Sequence, residues 1–243
     1  KFYPREVGDS GVNELLSRGA EWIRDQGEAE SEESVAFRDT FVCGCGWVET
    51  VLSYDDDPNG EVIFNRLEPW DVLADPASTK PNFTDARYIR RQKTYSKEEF
   101  KEIWPGETGV FDDEAELASY TSDPRRAYER DEDEKSNRAD QVTVSMYQWY
   151  ETETIVLIPS PDGADLIAVP YEEYEMMEGA PEGQTVRRKR YRYAMTTGHR
   201  LLEQGELEQR KFTIKGITGK RDEEKGTYYG LVRSMKDPQV WAN

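Results

Sequence analysis

The spacing of apolar residues near the amino terminus predicts two consecutive helices. Apolar side chains recur at helical spacing from Val12 to Ile23, with Ser10 as a cap and Gly27 as a stop. A second helix is predicted over residues 34–42, because its apolar positions again follow a helical period. Gly44 ends this second helix.

The residues that follow predict a β-hairpin. β-forming runs occupy residues 47–54 and 61–67, and the turn sequence Asp57-Pro58-Asn59-Gly60 lies between them. A further strand is predicted over residues 86–93. Ser96 and Glu99 then form a capping-box signature at the start of a short helix.

The second half of the chain is rich in β-forming residues. Predicted strands cover residues 142–150, 152–158, 165–169, 185–196, 200–203 and 210–217, with a short acidic helix at 171–178. Between residues 112 and 140, eleven acidic residues stand against five basic ones, which is typical of a linker.

These patterns predict the α+β class and four regions. Residues 1–110 form a helix and hairpin region, residues 111–141 an acidic linker, residues 142–229 a β-rich region, and residues 230–243 the start of a truncated helix. Because the chain opens with Lys1 and closes where a helix begins, we expect the natural protein to be longer.

Composition then limits the classes of protein. The chain has 243 residues and a formal net charge of −18, so counterion release cannot drive general binding to DNA over most of its surface. The longest aliphatic run, Ile155 to Ile158, is far shorter than the roughly 20 residues of a membrane-spanning helix. We therefore expect neither a membrane protein nor a strong DNA binder.

The cysteine and histidine content argues against a metal centre. Cys43 and Cys45 are too close for a relaxed disulfide, and no second pair completes a zinc site, so we interpret them as small buried thiols at a helix-to-strand junction. His199 is the only histidine and lies in a predicted turn. We predict no cofactor and no metal.

Carboxylates offer a weaker alternative. The run from Asp55 to Gly60 copies the front half of a calcium loop, but Arg66 stands where the loop needs a bidentate glutamate, so a hairpin turn is favoured. A carboxylate-dependent enzyme, with or without a metal, would use Asp55 to Asp57, or Asp75 with Asp85. No carboxylate lies in an apolar context that would raise its pKa for acid–base work.

The most unusual local feature is a basic segment, residues 187–192, in an otherwise acidic chain. In a strand, Arg188, Arg190 and Arg192 share one face. That face could meet acidic residues of a neighbouring subunit or contact a phosphate. The other interpretation is a solvated strand whose charges prevent edge-to-edge aggregation.

The order of landmarks along the chain resembles a phage portal protein of the short-tailed (podovirus) type. Each motif alone is weak, but the ordered set is specific. The matching segments are Cys43-Gly44-Cys45-Gly46-Trp47-Val48, Glu68-Pro69, Asp75-Pro76-Ala77-Ser78, Thr84-Asp85-Ala86-Arg87-Tyr88, Gln148-Trp149-Tyr150, the basic strand before Tyr193, and residues 228–239.

The resemblance implies a structural subunit and not an enzyme. It implies a ring, usually of twelve copies, at one capsid vertex, through which double-stranded DNA passes during packaging and ejection without sequence-specific binding. The ring would dock the terminase packaging motor and later a tail adaptor. The protein would be made in the host cytoplasm and reside in the virion. No Gly-x-x-x-x-Gly-Lys loop is present, which agrees with a passive ring driven by a separate ATPase.

The resemblance also assigns regions and residues. It places residues 1–110 in the wing and stem and residues 142–229 in the clip. Arg188, Arg190 and Arg192 become candidates for the subunit interface, while Arg233, Lys236 and Gln239 become candidates for a channel helix. A tail or baseplate adaptor that shares β-modules with portals remains the other structural alternative.

Overall fold

The computed structural model describes residues 10–54, 57–107, 109–110, 141–160, 166–177, 181–198, 200–207 and 209–235. Its helices are α1 Ser10–Gln26, α2 Ala29–Cys43, α3 Lys97–Ile103 and α4 Tyr171–Met176, and residues 231–235 are also helical. Its strands are β1 Cys45–Ser53, β2 Glu61–Leu67, β3 Val72–Ala74, β4 Tyr88–Ser96, β5 Gln141–Pro159, β6 Leu166–Pro170, β7 Gln184–Thr196, β8 Leu201–Glu206, β9 Ile214–Thr218, β10 Lys220–Arg221 and β11 Tyr228–Tyr229.

These elements confirm the predicted α+β class. The chain divides into two compact units. The first takes in the described residues up to Ala86 and those from Thr213 onward, and the second takes in those from Arg87 to Phe212. This division differs from the predicted regions, because residues 213–229 fold with the amino-terminal part instead of with the β-rich part.

In the first unit, the helices and the hairpin form as the sequence indicates. Helix α2 begins at Ala29, earlier than predicted, because the acidic residues Glu30 and Glu32 suit the positive end of a helix. The hairpin pairs β1 with β2 in the register Trp47 opposite Leu67. Strand β9 pairs with the other edge of β1 and so closes a three-stranded antiparallel sheet.

The core of the first unit lies between this sheet and α2. Ala36 and Thr40 are buried on the inner face of α2, and the Thr40 hydroxyl donates a hydrogen bond to the Ala36 carbonyl at 3.0 Å. Trp47 stacks on Phe83 with ring centroids 4.8 Å apart, and Tyr228 meets Phe83 edge-on at 5.4 Å. This aromatic group joins segments that are distant along the chain.

The second unit is an antiparallel sheet in the order β4-β5-β7-β8, with β6 paired to the far end of β5. Strand β5 runs without a break through residues 141–159, where two separate strands were predicted. It stays continuous because β7 pairs with it from Ser145 to Leu157.

Two apolar clusters stabilise the second unit. Phe100 of α3 packs with Val142 and Val144 at one end of β5, and Val156 packs with Val169 at the other end. The predicted capping box forms: the Glu99 amide donates to the Ser96 hydroxyl, and the Ser96 amide donates to the Glu99 carboxylate. The sheet is thus anchored at both ends of its longest strand.

Several predictions shift or fall outside the described residues. The strand predicted from Arg210 begins only at Ile214, and the strand predicted to end at Glu203 reaches Glu206. Residues 111–140 of the linker predicted over residues 111–141 lie outside the described residues, as do Asp55 and His199, whereas Gln141 begins β5.

Candidate subunit interface

The middle of the long strand pair β5–β7 is largely exposed in the part of the chain that the structure describes. We call residues 151–154 of β5 and 187–190 of β7 the central ribbon. Apart from the half-buried Glu153, all of these residues are exposed, although side chains alternate between the two faces. Within the described residues, β8 pairs only with the part of β7 from Arg192 to Thr196, so the outer edge of β7 beside the ribbon lacks a partner strand.

The predicted alternation of the arginines is present. Arg188 lies opposite Glu153, Arg190 opposite Glu151, and Arg192 opposite Trp149, so the three arginines share one face. This arginine face also holds carboxylates from the neighbouring strands.

Each arginine of that face forms an ion pair with its own chain. Arg188 contacts Glu153 at 2.6 Å, and Arg190 contacts Glu206 at 2.6 Å. Arg192 contacts Glu151 at 3.4 Å. The hydrogen bond from Arg190 lowers the pKa of Glu206, and a hydrogen bond from the Trp149 indole lowers the pKa of Glu151.

These pairs make the arginine face an alternating array of charges instead of a purely basic surface. The side chains of the three arginines are 40 to 45% exposed. Exposed ion pairs contribute only about 0.2–1 kcal/mol each. A neighbouring carboxylate could therefore replace an internal partner at small cost in free energy.

The opposite face of the ribbon is aromatic and basic. The Lys189 ammonium lies 3.8 Å from the centre of the Tyr150 ring, and Tyr191 packs edge-on against Phe212 at 5.1 Å. Within the described residues Arg187 makes no ion pair. Sequence analysis did not find these contacts, because Tyr150 and Phe212 come from other segments of the chain.

Only one of the three channel-helix candidates is described. Arg233 lies in the short helical segment at residues 231–235, forms an ion pair with Asp222 at 3.6 Å, and places its guanidinium 4.9 Å from the centre of the Tyr229 ring. Lys236 and Gln239 lie outside the described residues.

The two cysteines occupy the predicted helix-to-strand junction. Cys43 ends α2 and Cys45 begins β1, with Gly44 between them in a left-handed conformation, at φ 94°. Both thiols are half-buried, so they are more accessible than predicted. Burial raises the pKa of Cys45 to about 11, which keeps that thiol protonated and unreactive at neutral pH.

The carboxylates that suggested an enzyme serve as local caps. The Asp57 side chain accepts hydrogen bonds from Asn59 in the hairpin turn. Asp85 accepts bonds from the Ser78 hydroxyl and the Thr79 amide. Among the residues that the structure describes, no group of three or more histidine, cysteine or acidic side chains is placed to hold a metal ion.

The comparisons with known proteins give a single family. A family model described as phage P22-like portal protein matches residues 1–243. No curated protein sequence matches the chain. In the described part of the chain, every helix is too short or too polar to cross a bilayer. Because the match covers the whole sequence, the chain belongs to the family of phage P22-like portal proteins.

Proposed function

We propose that this protein is a structural subunit of the ring that conducts double-stranded DNA into and out of the capsid. Beyond the family match, the exposed central ribbon is the observation that supports a contact between subunits. Side chains on both faces of this ribbon are exposed, so the ribbon gains little from packing within its own subunit. Contact with a second copy would cover it, and the portal family implies an oligomeric ring.

The ring would use two different surfaces of each subunit. A closed ring of more than two identical copies needs a heterologous contact, in which one face of a subunit complements another face of the next. Arg188, Arg190 and Arg192 would exchange part of their internal pairing for carboxylates of the neighbour. The large excess of acidic residues on each copy supplies such carboxylates.

The charge of the protein suits a passage for DNA. A net charge of −18 repels phosphates, so DNA would slide through without being held at any one position. Arg233, together with Lys236 and Gln239, would lie on the helix near the channel. Residues 1–110 would belong to the wing and stem, and the β-rich residues from 142 onward to the clip.

The ring would act as a passive docking platform at the capsid vertex. The terminase motor would bind the clip during packaging, and a tail adaptor would replace it afterwards. The portal family is structural, so the motor would supply the energy and the chain would need no cofactor. The number of copies proposed for the complete protein is twelve, and synthesis would take place in the host cytoplasm.

Charge reversal on the arginine face tests both assembly and function. We expect the combined change Arg188→Glu, Arg190→Glu and Arg192→Glu to reduce the yield of rings, measured by native mass spectrometry. Capsids built with this variant should also retain less nuclease-resistant DNA than capsids built with the unchanged protein. A full yield of rings from the variant would contradict the proposed interface. If capsids that carry normal rings of the unchanged protein contain no DNA, the proposed function is wrong.

A matched variant separates internal pairing from contact with the neighbour. Reversing Glu151, Glu153 and Glu206 to arginine in the same chain restores every internal ion pair with opposite polarity. We expect this six-residue variant to regain thermal stability but not ring assembly. If rings return, the arginines only hold the ribbon together.

A further inference from the structure

Helix α1 turns its polar side toward its own chain. Asn13, Ser17 and Ala20 are half-buried, and they follow one another at helical spacing on one face. On the same face Arg24 makes two hydrogen bonds to the Glu33 carboxylate of α2, at 2.7 and 2.6 Å. The helix is therefore held to α2 by polar and small side chains.

The apolar stripe of α1 faces solvent. We call this set the α1 stripe, and its members are 37 to 71% exposed: Val12, Leu15, Leu16, Trp22 and Ile23. An amphipathic helix normally buries such a stripe against its own core. Contiguous exposed apolar surface of this kind marks a site of protein interaction.

The same unit also carries an apolar groove. The groove lies between the outer face of α2 and the segments around β10 and β11, and its walls include Phe37, Phe41, Tyr229 and Leu231. Phe37 and Phe41 are 55% and 47% exposed because they point away from the buried side of α2. The groove is shallow, with a cavity volume of about 170 Å³, below the roughly 300–1,000 Å³ of ordinary small-molecule sites.

Charges beside the two surfaces are complementary. Asp25, three residues after Trp22, borders the α1 stripe, and it forms no ion pair with any residue in the described ranges. Lys220 lines the groove and Arg38 lies beside Phe37, and neither of these two bases has an ion-pair partner in the described residues either. A helix that docks its stripe into the groove would bring the Asp25 carboxylate close to these two bases.

We propose that the α1 stripe of one subunit docks into the α2 groove of the next copy. The proposal rests on the proposed ring, in which every subunit must offer two unlike surfaces that fit each other. A projecting apolar helix and an apolar groove meet that requirement through a common mode of recognition, in which an amphipathic helix lays its apolar face in a hydrophobic groove. The contact repeats around the ring in one direction.

Engineered disulfides test this contact directly. In a background of Cys43→Ser and Cys45→Ser, we introduce Leu16→Cys in the stripe and Phe41→Cys in the groove, two positions of nearly equal exposure. After mild oxidation, we expect the double variant to give a ladder of linked chains on a non-reducing denaturing gel. Either single variant should stay unlinked, and a mixture of the two should give linked pairs only.

Controls separate this inference from the ring itself. A control variant combines Leu16→Cys with Lys101→Cys, an exposed position of α3, and keeps Phe41. This variant should give no ladder. Links in Leu16→Cys alone would show stripe against stripe and overturn the inference, as would a disulfide within a single chain. The same samples are imaged by electron microscopy. Rings that form without the ladder of linked chains contradict only this contact. If no rings form, the proposed function is contradicted as well.

Discussion

At the scale of single residues, Gly44 shows most clearly why the chain needs a glycine. Its backbone is left-handed, and a Cβ atom there would overlap the backbone of Tyr229. We expect Gly44→Ala to lower the free energy of unfolding by more than about 2 kcal/mol, because left-handed backbone alone costs about 1–2 kcal/mol for a residue with a side chain.

A second glycine provides the control for this prediction. Gly19 lies inside α1, and a Cβ atom there would meet nothing within 4 Å. Gly19→Ala should therefore raise stability by about 0.5–1 kcal/mol. Urea denaturation measures both variants, and equal effects would contradict the conformational argument.

Asp85 predicts a dependence of stability on pH. Its carboxylate accepts hydrogen bonds from the Ser78 hydroxyl at 2.5 Å and from the Thr79 amide at 2.8 Å, which hold its pKa well below the usual range. A carboxyl whose pKa is lowered by folding stabilises the protein above its unfolded pKa, about 3.9. That stabilisation is lost as pH falls through the lowered pKa.

The matching measurement is denaturation at several pH values. Asp85→Asn should be less stable than the unchanged protein at pH 7, and the difference should shrink below about pH 4. Ser78→Ala should reproduce part of the loss at pH 7, because it removes the strongest of these hydrogen bonds. A difference between Asp85→Asn and the unchanged protein that stays constant over this pH range would contradict the role of the charge.

At the scale of elements, two ion pairs of α2 differ in burial and should differ in energy. Asp39 accepts a hydrogen bond from Arg66 Nε at 2.6 Å and joins α2 to β2, and the two side chains are only 11% and 22% exposed. Glu33 pairs with Arg24 in a more exposed position.

We expect Asp39→Asn to lower the free energy of unfolding by about 1.5–3 kcal/mol, the range of hydrogen bonds to charged groups. Glu33→Gln should cost less than about 1 kcal/mol. Thermal unfolding of the two variants measures the difference. The reverse order would show that burial does not set the strength of these pairs.

The sequence predicted the elements whose signals are local. The turn at Asp57 to Gly60, the capping box at Ser96 and the alternation of the arginines each depend on residues a few positions apart. The sequence pattern predicts two strands, over residues 142–150 and 152–158. The structure has one strand instead, because the pairing of β5 with β7 continues through Glu151 without interruption.

Non-local partners could not be predicted. Strand β9 pairs with β1 although more than half of the sequence separates them, and no turn or residue spacing predicts that contact. For the same reason, sequence analysis did not find that Glu206 is the partner of Arg190, or that α1 turns its apolar stripe outward. Periodicity identifies the faces of an element but not what covers each of them.

At the scale of the whole molecule, the two compact units expose different kinds of surface. The first exposes an apolar helix stripe and an apolar groove, and the second exposes a charged ribbon. Contiguous exposed apolar surface is uncommon on a protein that works alone, and the proposed ring would cover it.

Electron microscopy of the purified protein tests the central claim most directly. The account predicts class averages that show a closed annulus of identical subunits around a central opening, in which the central ribbon of each copy is covered by its neighbour. Particles that remain single subunits at high protein concentration, with the ribbon and the α1 stripe open to solvent, would contradict the account.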